Sequence, residues 1–106
     1  MGIAELAENI GLDLDEFAEI FEIYVETTSS YLEELKTALR DGDTKTAHEK
    51  SHSIKGATGN LGLEELYELA REIDDRVRED SMNGVEDMVN TFQEKYEKLV
   101  EDFEKG

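Results

Sequence analysis

The sequence contains no cysteine and no proline, and basic residues are few. The lack of cysteine excludes disulfide bonds and thiolate metal sites. The lack of proline favours long uninterrupted helices, because proline removes a backbone hydrogen bond inside a helix. Eleven lysines and arginines stand against 28 aspartates and glutamates, so the net charge is −17. This balance argues against nucleic acid and anionic membranes as partners, because both are bound through basic side chains.

Long apolar runs and alternating strand patterns are also missing. No stretch of the 106 residues approaches the roughly 20 apolar residues that span a bilayer. The acidic, mixed N-terminus does not resemble a signal peptide, so we expect a cytoplasmic location. The length predicts one domain, 1–106, and the highly charged surface favours a monomer. The chain begins and ends near its predicted helices, which favours a stand-alone protein over an excised domain.

Apolar residues recur at steps of three and four, the spacing of amphipathic helices. They indicate a short helix followed by four longer ones, at 3–10, 13–42, 43–62, 63 to just before Ser81, and about 84–105. Short connections make consecutive helices antiparallel. The sequence therefore predicts an all-α fold, an antiparallel up-down-up-down four-helix bundle with a short extra N-terminal helix.

Capping residues support these limits. Asp13 and Asp43 stand where helix N-caps are expected, and Gly42 suits the position that ends the long helix. The apolar stripe of that long helix begins at Leu14 and continues through Phe17 and beyond. We expect this stripe to form part of the core.

The third helix carries a histidine, His52, together with two interior glycines, Gly56 and Gly59. Each interior glycine costs a helix roughly 1 kcal/mol relative to alanine. The helical wheel places all three beside the core stripe, at the edge of the bundle, so His52 is expected to be half exposed. The glycines leave a flat area where the backbone of another molecule could approach closely.

Lys55 lies one turn from His52. Its ammonium disfavours protonation of the imidazole, and it can bind an anion attached to the ring. The combination suits a neutral imidazole that acts as a nucleophile and carries a phosphoryl group. An ordinary exposed histidine is the alternative.

His52-x-x-Lys55-Gly56, followed by Leu61-Gly62, resembles the signature of histidine-containing phosphotransfer (HPt) domains. Those domains typically show His-x-Leu-Lys-Gly. Ile54 stands here in the leucine position, and Ser51 occupies a position that is often alanine. The motif spans about eleven residues, whereas the predicted order and lengths of the helices agree over nearly the whole chain.

The resemblance implies a phosphorelay intermediate without kinase or phosphatase activity of its own. His52 Nε2 would accept a phosphoryl group from the aspartyl phosphate of a receiver domain and pass it to another receiver. Lys55 would stabilise the phosphoryl oxygens, and Gly56 would give the receiver room. No resident cofactor is implied, because the Mg²⁺ belongs to the receiver. The implied partners are response-regulator receiver domains, with a hybrid sensor kinase as a further candidate.

The resemblance also implies a polar residue on the following helix that accepts a hydrogen bond from the Nδ1 atom of the histidine. His52 lies ten residues before Gly62, so its antiparallel partner level falls near residue 72. Asp74, at the edge of the fourth stripe, is the candidate, although it is shorter than the usual Glu or Gln. The alternative is an ordinary solvated residue.

His48-Glu49-Lys50-Ser51-His52 also reads as H-E-x-x-H, a motif of zinc proteases. Glu72 could supply a third ligand. We expect no metal site, because the motif explains neither Lys55 nor the glycines, and because no strand is present to hold a peptide substrate. His48 is then expected to be an ordinary surface residue.

A second class of function is an adaptor that binds a receiver through the same face without transfer. In either case we expect the partner to contact Ser53, Lys55, Gly56 and Gly59. Apolar residues of the first helix would contribute to this surface, namely Ile3, Leu6 or Ile10.

Overall fold

The structure, a computed structural model, describes residues 3–79 and 83–105. Ser81, the predicted limit of the fourth helix, lies outside these residues. The described part contains five helices and no strand, which confirms the all-α prediction. The helices are α1 (Ile3–Asn9), α2 (Leu14–Asp41), α3 (Thr44–Asn60), α4 (Glu64–Arg78) and α5 (Val85–Lys105).

The helix α2 begins and ends as its sequence predicts, and α3 begins as predicted but ends at Asn60, two residues before the predicted limit. The Asp13 side chain accepts a hydrogen bond from the Glu16 backbone N–H, and the Glu16 side chain accepts one from the Asp13 backbone N–H. This reciprocal capping box satisfies two otherwise unpaired donors. Asp43 caps α3 through the Thr46 N–H. Gly42, between the two helices, has φ 71°, a left-handed conformation that glycine adopts without a steric penalty.

Contacts between α2 and α3 occur in reverse sequence order. Tyr24, in the first half of α2, shares a 3.0 Å hydrogen bond with Thr58 near the end of α3. Glu34, farther along α2, pairs with Lys50 in the first half of α3 at 2.7 Å. The two helices therefore run antiparallel.

The pair α2 and α5 shows the same reverse order. The rings of Phe21 and Phe103 lie 4.5 Å apart between centroids, and the hydroxyls of Ser29 and Tyr96 are 2.8 Å apart. Further contacts join α3 to α4 and α4 to α5, and α1 packs on α2. Four helices thus close into a bundle, in which α3 and α5 each run antiparallel to α2.

The core lies between these four helices, with Leu6 and Ala7 of α1, and it includes Phe17 and the buried residues that follow it in the predicted stripe of α2. Leu14 is 53% exposed. It is the first residue of α2, and helical side chains lean toward the N-terminus, so its side chain points beyond the packed part of the helix.

None of the described helices has the length and apolar character needed to cross a bilayer. The largest wholly buried side chains are Phe17, Phe21, Phe92, Leu6 and Leu35.

Candidate functional site

His52 projects from the outer side of α3. Its neighbours Ser51 and Ile54 are buried, whereas 64% of the His52 side chain is exposed. The apolar stripe therefore fixes the rotation of α3, and this rotation turns the imidazole toward solvent. The expectation of a histidine at the edge of the bundle is confirmed.

Asp74 of α4 is wholly buried, although it carries a carboxylate. Its Oδ1 accepts a hydrogen bond from the Ser51 hydroxyl at 3.2 Å. Its Oδ2 accepts from Lys55 Nζ at 3.0 Å and from Arg78 Nη2 at 3.1 Å. A buried carboxylate needs such donors, because burial of an unpaired charge is costly. The alternative of a solvated residue was wrong for Asp74.

The imidazole of His52 turns its Nδ1 toward this carboxylate. The distance from Nδ1 to Asp74 Oδ2 is 3.8 Å, longer than the roughly 3.2 Å limit of an ordinary N–H···O hydrogen bond. The structure thus brings the predicted pair together without a hydrogen bond between them. The short aspartate is held instead by the Lys55 and Arg78 cations, and its role in orienting Nδ1 stays a prediction.

The electrostatics of Asp74 depend on two opposing effects. Burial alone raises the pKa of a carboxyl group. The hydrogen bond from Lys55, the positive charges of Lys55 and Arg78, and the Ser51 hydroxyl outweigh burial and hold the pKa of Asp74 below its ordinary value. Asp74 is therefore a fixed negative charge beside His52 at neutral pH.

We expect the substitution Asp74→Asn to lower the free energy of unfolding by about 1–2 kcal/mol at neutral pH, through loss of the charge-assisted hydrogen bonds. Because folding lowers the pKa of Asp74, its ionised form contributes stability above the unfolded pKa. That contribution disappears as the pH falls through the folded value. Urea unfolding of both proteins between pH 7 and pH 2 should show a difference that shrinks below about pH 4. A difference that is constant over this range would contradict the assignment.

Lys55 lies on the same helix as His52 and contacts Asp74 of α4. Its side chain is 20% exposed, and its ammonium is bound to Asp74 rather than directed to solvent. Because it is three residues from His52 on the same helix, its flexible stem can also carry the charge toward the outer edge of the imidazole. Its predicted role with phosphoryl oxygens is untested by this geometry.

His48, expected to be an ordinary surface residue, contributes to the same cluster. Its side chain is 44% exposed, but its Nε2 is covered and lies 3.7 Å from Asp74 Oδ1. The spacing of four residues from His52 was a usable signal, because residues at i and i+4 share one side of a helix. The motif predicted the shared face, but it gave no indication that the central group is a carboxylate.

The H-E-x-x-H motif does not assemble a ligand set in the described part of the chain. Residues 3–79 and 83–105 contain no group of three or more His, Cys, Asp or Glu side chains arranged to hold a metal ion. The rings of His48 and His52 have centroids 6.3 Å apart.

The two glycines of α3 have different surroundings. A Cβ added to Gly56 would meet no atom of the described residues within 4 Å, so no contact in this part of the protein requires glycine at this position. A Cβ added to Gly59 would lie 3.1 Å from two ring carbons of Tyr67 in α4. Gly59 therefore has a reason within the fold, the close packing of α3 on α4. The sequence analysis explained both glycines by the approach of a partner, whereas the packing against Tyr67 gives Gly59 a role within the fold.

The predicted contact surface also needs a correction. Leu6 is only 2% exposed and belongs to the core, and Ile10 is partly buried against it. The side chain of Ile3 lies outside the described part. Ser53 is partly exposed, and its hydroxyl donates to the Glu49 carbonyl one turn earlier at 2.9 Å.

Among the residues whose side chains the structure describes, the exposed large apolar ones lie on α2 instead. They are Leu14 (53% exposed), Ile20 (41%) and Ile23 (64%). The sequence analysis missed Ile20 and Ile23, although their positions outside the apolar stripe of α2 were a signal. It also missed the contact between the small residue Ser51 and Asp74.

The structure thus brings an exposed histidine of α3 close to a polar residue of the following helix, on the flank of a helical bundle. A family model described as Hpt domain matches residues 19–102. The chain therefore belongs to the Hpt domain family, and it is a phosphotransfer intermediate of two-component signalling.

Curated relatives agree with this family. The phosphorelay protein LuxU of Vibrio vulnificus, in strains YJ016 and CMCP6, is 32% identical to this chain over 88 residues. The match covers 82% of this chain and 75% of each relative. No solved structure matches the chain.

Proposed function

We propose that His52 accepts a phosphoryl group from the aspartyl phosphate of a receiver domain and passes it to the aspartate of a second receiver. One observation carries this assignment. His52 is 64% exposed, and its Nδ1 faces a wholly buried carboxylate. One ring nitrogen, Nδ1, thus faces the carboxylate, and the other, Nε2, is left for a partner.

The carboxylate of Asp74 determines which nitrogen reacts. A negative charge 3.8 Å from Nδ1 favours the tautomer with its proton on Nδ1, which leaves the Nε2 lone pair free. Nε2 then attacks the phosphorus atom of the acyl phosphate. The N–P bond forms as the P–O bond to the receiver aspartate breaks, and the bonding electron pair stays on the departing carboxylate. The ring gains positive charge, which Asp74 stabilises. Transfer to a second receiver reverses these changes.

Lys55 supplies the second part of the proposed site. The incoming phosphoryl group carries negative charge at Nε2, and Lys55 Nζ would move from Asp74 toward its oxygens. Charge-assisted hydrogen bonds to phosphoryl oxygens are stronger than neutral ones. The short distance along α3 and the flexible stem of lysine support this movement.

The receiver would approach over the second half of α3, where Gly56 leaves open space. Ile20 and Ile23 extend this surface onto α2. Tyr31, on the same side of α2, has Lys50 Nζ of α3 5.3 Å from its ring centroid, so this side of α2 borders α3. The contact of Tyr24 with Thr58 puts Ile23 at the level of the glycines. We therefore expect the receiver to contact Ile20 and Ile23 together with Gly56.

The transfer also depends on what the receiver partner supplies, which is Mg²⁺. The Mg²⁺ needed for transfer comes with the receiver, and the protein itself acts as neither kinase nor phosphatase. Its partners are response-regulator receivers, with a hybrid sensor kinase as a further candidate. It acts as a monomer in the cytoplasm.

The experiment mixes the protein with a receiver domain carrying a radiolabelled aspartyl phosphate, in the presence of Mg²⁺. The label should move to the protein within the mixing experiment, and addition of a second unphosphorylated receiver should remove it. The protein-bound label should be lost in acid and retained in alkali, as expected for phosphohistidine. Label that survives acid, or a stable receiver complex without label transfer, would contradict the proposal and favour the adaptor function.

A further inference from the structure

The Nε2 atom of His48 is covered and takes no part in the proposed transfer. Within residues 3–79 and 83–105 it has no hydrogen-bond partner. Its nearest anionic oxygen, Asp74 Oδ1, is 3.7 Å away. A buried polar atom without a partner costs free energy. A shift of about 0.7 Å would bring the pair to ordinary hydrogen-bond distance.

The two oxygens of Asp74 are unequally supplied with donors. Oδ2 accepts from two cations, Lys55 and Arg78. Among the described residues, Oδ1 accepts only from the Ser51 hydroxyl, at 3.2 Å, and that hydroxyl also lies 3.1 Å from the His48 carbonyl oxygen. A hydroxyl has one proton to donate, so Oδ1 shares it with a backbone carbonyl. Oδ1 can therefore accept from a second donor, and His48 Nε2 lies 3.7 Å from it.

We propose that His48 is a positioning residue that takes over from Lys55 when the phosphoryl group arrives. When Lys55 turns to the phosphoryl oxygens, Asp74 loses one of its two charged donors. His48 Nε2–H then closes on Oδ1 and keeps the carboxylate facing His52 Nδ1 during transfer. This inference rests on the proposed function, since it requires Lys55 to leave Asp74.

Nuclear magnetic resonance can test the takeover without any phosphoryl chemistry. Lys55→Met removes the ammonium while keeping an unbranched side chain, so it reproduces the departure of Lys55. In this variant the His48 Nε2 proton should become hydrogen-bonded, visible and protected from solvent exchange, and in the wild type it should show less protection. Lys50→Met is the matched control, because Lys50 lies on the same helix and pairs with Glu34 rather than Asp74. Absence of the protected proton in Lys55→Met, or its appearance in Lys50→Met, would overturn the proposal.

The rate of transfer shows whether His48 acts as a hydrogen-bond donor or only fills space with its ring. His48→Phe keeps the ring and removes the donor, and should slow transfer to His52 about five- to tenfold. His48→Gln restores an N–H donor of similar reach, and should stay within about twofold of the wild type. Circular dichroism on both variants checks the fold. Equal rates for Phe and wild type, or an equal loss for Phe and Gln, would overturn the donor role.

These outcomes are distinguishable from failure of the proposed function. If His52 accepts label normally while the His48 variants and the proton signal behave like the controls, only the His48 inference fails. If no label reaches His52 at all, the phosphotransfer proposal fails, and the resonance experiment on Lys55→Met still decides whether His48 closes on Asp74.

Discussion

The substitution His52→Gln is expected to reduce phosphoryl uptake from a receiver to background, whereas His48→Gln should retain uptake. Glutamine is polar and similar in reach, but its amide nitrogen has no free lone pair for attack on phosphorus. Both substitutions make the same chemical change on the same helix, one turn apart. The comparison therefore isolates the nucleophile from any general effect of losing a histidine.

The His52→Gln substitution should leave the fold and its stability nearly unchanged. The His52 side chain is 64% exposed, and substitutions at such positions change the free energy of unfolding by no more than about 0.5 kcal/mol. Radiolabel transfer is measured alongside urea unfolding for the wild type and both variants. Label retained in His52→Gln and lost in His48→Gln would move the phosphoacceptor to His48.

Gly56→Leu is expected to raise the free energy of unfolding and to slow phosphoryl transfer. Leucine is a better helix former than glycine by roughly 0.8 kcal/mol, and a Cβ at position 56 meets nothing within 4 Å, so the free energy of unfolding should rise. A bulky side chain in the space that the receiver needs should cost docking about 1–3 kcal/mol. Transfer should then fall by roughly ten- to a hundredfold.

Gly56→Ala provides the graded control. It gains at least as much helix propensity as leucine but adds only a methyl group, so its loss of transfer should be smaller. Rates at several receiver concentrations separate docking from chemistry, and the loss should disappear in part at high receiver concentration. Undiminished transfer in Gly56→Leu would show that the receiver does not approach over this glycine.

Much of the fold could be predicted because the apolar pattern and the capping residues agree. Asp13, Gly42 and Asp43 each occupy the predicted helix end, with the hydrogen bond or the left-handed backbone that the position requires. The periodicity also gave the rotation of α3, and hence the exposure of His52. Leu14 shows the limit of this reasoning, because a stripe defines a direction around a helix but not how far the partner helices cover its end.

The environment of the site was less predictable, because it depends on contacts between helices. A helical wheel placed Asp74 at an edge, but only the packing of α4 on α3 shows that Ser51, Lys55 and Arg78 enclose it. The same packing gave Gly59 its role against Tyr67. The sequence alone treated the two glycines as equivalent, since both occur on the same side of one helix.

The location of the site on the α3–α4 hairpin has a consequence for how the protein folds. The contact between Ser51 and Asp74 closes a segment of 23 residues, whereas the contact between Ser29 and Tyr96 closes one of 67. Closing the shorter segment costs about 1 kcal/mol less chain entropy. The surroundings of the phosphoacceptor can therefore assemble from nearby residues before the C-terminal helix docks, and they draw little of their order from the contacts between α2 and α5.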